Sequence, residues 1–83
     1  MTIGEKLSKM LDDRGLFPKQ TEAILKNYVD GPLGAEMRSR LNDSVEDYPP
    51  VLLTVCWMGL QKTALDWIDE NCPQHWARPM FVD

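Results

Sequence analysis

Histidine is almost missing from this sequence, cysteine is scarce, and no apolar run is long. Each scarcity closes off a class of function. One histidine and two cysteines in 83 residues fall short of a structural zinc site, which takes four ligands, usually in two close pairs. Cys72 and His75 have ligand-like spacing and Cys56 is a third thiol, but nothing completes the set. No metal or other cofactor is expected. The most apolar stretch, Val51 to Leu60, runs into Gln61 and Lys62 after ten residues. A bilayer needs about twenty, so no membrane partner is expected. The opening residues Met-Thr-Ile-Gly-Glu-Lys lack a basic stretch leading into an apolar one, so no signal peptide is expected.

An excess of basic residues is also missing. Nine Lys and Arg face 13 Asp and Glu, a net charge of −4. A general phosphate-backbone binder is usually basic, so nucleic acid is not the default partner. The charge is uneven. Residues 1–41 hold 7 basic and 6 acidic side chains, and residues 42–83 hold 2 basic and 7 acidic. Any long-range field comes from the second half.

Motifs of catalysis are missing too. There is no Gly-rich phosphate loop, no H-E-x-x-H and no G-x-S-x-G. Cys56 falls in the middle of an apolar stripe, where a thiol is buried and inert. Cys72 closes a helix at its negative end, a poor setting for a nucleophile. No enzyme is expected. If both cysteines lie on one helix, they stand roughly 24 Å apart along it, against the ~7 Å a disulfide allows. Reduced thiols and a cytoplasmic location follow.

What is present is a globular composition, 43% hydrophobic and 27% charged, in a chain long enough for one domain only. The apolar residues recur at helical spacing. Thr2 and Glu5 form a capping box ahead of a helix over 3–14, with Ile3, Leu7, Met10 and Leu11 as its stripe. Gly15 follows, a left-handed stop. Pro18 opens a second helix over 18–29, with Phe17, Thr21, Ile24, Leu25 and Tyr28 on one face. Asp30-Gly31-Pro32 ends it. A weaker third helix over 33–42 puts Leu33, Met37 and Leu41 together. Ser44 and Asp47 suit a single turn. Pro50 opens a fourth helix over 50–71, with Leu53, Cys56, Trp57, Leu60, Ala64, Trp67 and Ile68 as its core stripe. Cys72-Pro73 ends it. Residues 73–83 read as an extended tail, with Trp76, Met80 and Phe81 laid back over the open end of the core. The expected fold is all-α: a compact bundle of four unequal helices, with a long central fourth helix and an extended C-terminal tail.

Three surfaces bear on function. Val51, Val55 and Met58 form a second apolar stripe beside the core stripe of the fourth helix. Either the other helices wrap it as core, or it is the face of a homodimer or other partner. Asp66, Asp69 and Glu70 share a face near the helix C-terminus, where the macrodipole disfavours negative charge. Lys62 precedes Asp66 in the weaker order for an ion pair. Carboxylates set against local preference point to a binding patch for a basic partner. Lastly, Lys19, Lys26, Arg38 and Arg40 on the second and third helices allow a helix-turn-helix reading, diluted by Glu22, Asp30 and Glu36.

The leading expectation is therefore a protein-protein interaction module. In its specific form it is a small acidic inhibitor or adaptor, of phage or mobile-element type, that binds a basic surface of a nucleic-acid-handling protein. A helix-turn-helix-like DNA-binding regulator using the second and third helices is the alternative.

Overall fold

Thr2 starts the first helix, α1 (Ile3–Asp12), through the reciprocal box that the sequence announces. Its Oγ1 accepts from the Glu5 N–H at 3.1 Å, and Glu5 Oε1 accepts from the Thr2 N–H at 2.9 Å. The first-turn amides of Ile3 and Gly4 have no partner within the helix. They donate to the carbonyls of Asp43 and Leu41, at 3.0 and 2.9 Å. A bridge between Thr2 and Ser44 completes the seat. The start of α1 is therefore built by the chain forty residues later. Ile3, Leu7 and Leu11 are fully buried. The helix ends at Asp12, two residues before the expected Arg14. Its last turn tightens, with Arg14 N–H on Leu11 O and Gly15 N–H on Asp12 O. Gly15 then takes the positive φ, 94°, that suits glycine.

The structure is a computed structural model that describes residues 1–75 and 78–81. The second helix, α2 (Pro18–Asp30), begins with proline at its first position, and Gln20 Oε1 accepts from the Phe17 N–H. Phe17, expected on the apolar face, is 66% exposed, because it precedes the helix as its cap. Thr21, Ile24, Tyr28 and Val29 are the buried residues. Thr21 Oγ1 donates to Asp12 Oδ1 at 2.6 Å and ties α2 to the end of α1.

The expected third helix over 33–42 is instead a 3₁₀ segment, Ala35–Arg40. Gly34 explains the difference. It is buried against Tyr28 with φ −122° and ψ 7°, outside the helical region, so hydrogen bonding starts only with Met37 N–H on Gly34 O. Met37 is buried as expected, but Leu33 is 55% exposed. Ser44 caps the single 3₁₀ turn Val45–Asp47.

The long helix, α3, spans Pro50–Asn71 as the prolines at its two ends predict. At about 33 Å it runs almost the full 38 Å length of the molecule. Cys56, Leu60, Ala64 and Ile68 are its buried face. α2 packs against α1, the first 3₁₀ segment and α3. The tail is not extended where it is described: Arg78–Phe81 forms a 3₁₀ turn against α3. Phe81 is buried, its ring 6.1 Å from that of Trp57, and its carbonyl accepts from Gln61 Nε2. Trp76 and the Met80 side chain lie outside the described residues. All-α packing is thus the architecture, with one α-helix of the expected four replaced by 3₁₀.

Candidate interaction surface on α3

Opposite its buried face, α3 presents a single line of side chains: Val51, Val55, Met58, Lys62, Asp66 and Asp69. The spacing is helical throughout. The line changes character halfway, from apolar to charged.

The apolar half is uncovered. Val51, Val55 and Met58 are 63%, 60% and 67% exposed. The core alternative for these three residues therefore fails. The reason is supply. The shortened third segment delivers only Met37 to the core, and no other element among the described residues covers this face of α3. Leu33 extends the patch sideways. Gly59 lets it approach: a Cβ on Gly59 would stand 3.4 Å from Leu33 Cβ.

The charged half is less acidic than its sequence suggests. Asp69 Oδ1 accepts from Arg78 Nε at 2.6 Å. Lys62 Nζ reaches Asp66 Oδ2 at 3.5 Å, with both side chains well exposed. The three carboxylates therefore have different surroundings. Asp69 is turned to the C-terminal 3₁₀ turn, while Asp66 and Glu70 line a cleft between α3 and the end of α2. The cleft measures about 420 Å³, and its apolar lining includes Tyr28, Pro32, Leu33 and Trp67. Burial first, and then a hydrogen bond with the Cys56 thiol, push the ionisation of Tyr28 far above the usual tyrosine range. It stays a neutral phenol, wedged where Gly34 and Gly59 leave room for its ring.

The cationic set is dispersed. Arg38 Nη2 donates to Val29 O and to Asp30 Oδ1, both at 3.1 Å, which closes the C-terminus of α2. Lys19, Lys26 and Arg40 are exposed. Lys26 shares the groove between α1 and α2 with Glu22 and Asp12. The segment that would serve as a recognition helix is six residues of 3₁₀. Among the described residues, no three metal-ligating side chains come together, and no helix is long and apolar enough to cross a membrane.

Leu33, Trp67 and Arg78 are the participants that sequence reasoning missed. Periodicity gives both Leu33 and Trp67 to the core; Trp67 does pack against it, half-buried, and lines the cleft as well, whereas Leu33 is exposed. Arg78 stands in a stretch with no periodic pattern, so nothing marked it as the counter-ion of Asp69. Compared with known protein families, curated proteins and solved structures, the chain matches none.

Proposed function

We propose that this chain is a non-enzymatic protein-interaction module that holds a basic segment of a partner protein in the cleft beside α3. The observation that carries the reading is the pairing of Asp66 and Glu70 with Trp67 and Leu33 around one cleft. Carboxylates one helical turn apart suit a guanidinium or an ammonium. An apolar lining takes the stem of the same side chain, and an indole face adds cation–π attraction. Lys62 is no obstacle, because an exposed pair of this kind is worth little and exchanges readily. The acidic second half of the chain steers a cation towards the cleft before contact.

The specific version is a small acidic inhibitor or adaptor, of phage or mobile-element type, that covers a basic surface on a nucleic-acid-handling protein. Its supports are size and charge. Two free thiols suit a cytoplasmic setting.

The test is a titration of acetyl-Arg-Leu-Arg-amide into isotope-labelled protein, following the Trp67 indole and the amides of residues 62–70. Saturable shifts confined to the cleft are expected, weakened by salt and lost when Asp66→Asn and Glu70→Gln are combined. Absent shifts, or shifts that survive the double variant, overturn the reading.

A further inference from the structure

We propose that the cleft beside α3 selects arginine over lysine, the guanidinium lying on Trp67 between Glu70 on one wall and the Asn27 carbonyl on the other. The inference rests on the cleft reading given above and names the cation that the cleft takes. The end of α2 forms the second wall, through Asn27, Tyr28 and Gly31. A helix ends in unsatisfied carbonyls and partial negative charge. The Gly31 N–H would continue the ladder by bonding Asn27 O, but it donates to Tyr28 O instead, at 3.3 Å. Asn27 O is left without its helical donor. Gly31 also keeps that oxygen uncovered. A Cβ on residue 31 would stand 3.0 Å from it. The φ of Gly31, −94°, is open to any residue, so space and not backbone strain is what its missing side chain supplies.

The same helix end already holds one guanidinium in this way. Arg38 Nη2 donates to Val29 O and to Asp30 Oδ1, both at 3.1 Å, so one helix-end carbonyl and one carboxylate share one arginine. The cleft offers the same pair of acceptors, Asn27 O and Glu70, and adds the Trp67 indole. Glu70 is exposed and has no ion pair among the described residues.

Lys62 sharpens the choice. Its ammonium already stands 3.5 Å from Asp66, so a lysine arriving at Asp66 replaces one ammonium with another. A guanidinium has five donors in a fixed plane. It can address acceptors on both walls at once, stacks on an indole, and gives up its water more easily than an ammonium does. Lys62 can stay on Asp66 while it binds.

Acetyl-arginine methylamide and acetyl-lysine methylamide carry the same single positive charge. Each is titrated into the isotope-labelled full chain, following the Trp67 indole and the amides of residues 27–31 and 62–70. The arginine compound is expected to bind about fivefold tighter or more, from stacking and the second wall together. Glu70→Gln removes the charge on one wall, and Gly31→Ala covers Asn27 O on the other. Each should weaken arginine more than lysine and narrow the gap to about twofold or less. Circular dichroism checks that both variants fold, and Glu70→Gln, an exposed change, decides alone if Gly31→Ala does not. Equal affinity for the two compounds overturns the arginine preference and leaves a cation-binding cleft standing. A preference that persists undiminished in the folded variants overturns the two-wall site. Absent shifts with both compounds bring down the cleft reading itself, and this inference with it.

Discussion

Tyr28 and Gly34 are in contact so close that the glycine cannot be replaced without moving something. A Cβ on residue 34 would stand 2.7 Å from both Cδ2 and Cε2 of the Tyr28 ring and would also strike the Tyr28 carbonyl. The ring can retreat by no more than a few tenths of an ångström, because Gly59 holds its other edge and Tyr28 is buried. Gly34→Ala is therefore expected to cost about 2–3 kcal/mol, the upper range for overpacking. In a domain of this size that lowers the melting temperature by roughly 10–20 °C. Gly59→Ala behaves differently. Its Cβ would meet Tyr28 Cε1 at 3.1 Å, a contact that a few tenths of an ångström relieve. Against that crowding, alanine gains about 1 kcal/mol in a helix interior. The two nearly cancel. Urea denaturation of both variants checks the pair, and equal loss at the two positions contradicts it.

Arg38 separates a structural cation from a nucleic-acid contact. Its bonds to Val29 O and Asp30 Oδ1 satisfy a carbonyl left over at the end of α2 and place positive charge at the helix's negative pole. The side chain is more than half exposed, so solvent screening trims the gain to about 0.5–1 kcal/mol. Arg38→Ala should lower the melting temperature by roughly 3–6 °C, while Arg40→Ala, with no such bonds, leaves it unchanged. A stable Arg38→Ala protein would return this arginine to the pool of free surface cations.

Much of the backbone was legible because punctuation residues act locally. Pro50 and Pro73 bound α3, Pro18 opens α2, and the Thr2–Glu5 box opens α1 through atoms three residues apart. Two failures are local, Gly34 ahead of the 3₁₀ segment and Phe17 as the cap of α2; the others are long-range. Periodicity gave Leu33 a core face, yet whether a face is covered depends on what other elements supply. The seating of α1 on the carbonyls of Leu41 and Asp43 leaves no trace in either segment. The surroundings of the carboxylate cluster were not legible either. Helix angles place Asp66, Asp69 and Glu70 together, but they do not announce the arginine nine residues past Asp69 that pairs with it. What survives of the site is the part written on α3 itself: an exposed stripe and two carboxylates.

The Thr2–Glu5 box carries a pH dependence whose sign follows from its hydrogen bonds. The backbone N–H of Thr2, and secondly its hydroxyl, hold the Glu5 carboxyl below its ordinary value of 4.5. In the unfolded chain those donors are lost and the ordinary value returns. A group with a depressed folded pKa stabilises fully above the unfolded value, and the contribution disappears as pH falls through the folded one. Glu5→Gln isolates the effect. Its amide oxygen still accepts from the Thr2 N–H, so the cap persists without the charge. Urea midpoints should favour the unsubstituted chain at pH 7 by a small margin, because Glu5 is exposed. The margin should shrink below pH 4.5 and disappear as pH falls through the folded value. The other carboxylates are common to both proteins and cancel in the difference. A gap between the two curves that stays constant from pH 7 to pH 3 would mean that the charge on Glu5 does nothing for the helix. The seat on Leu41 and Asp43 would then suffice to start α1.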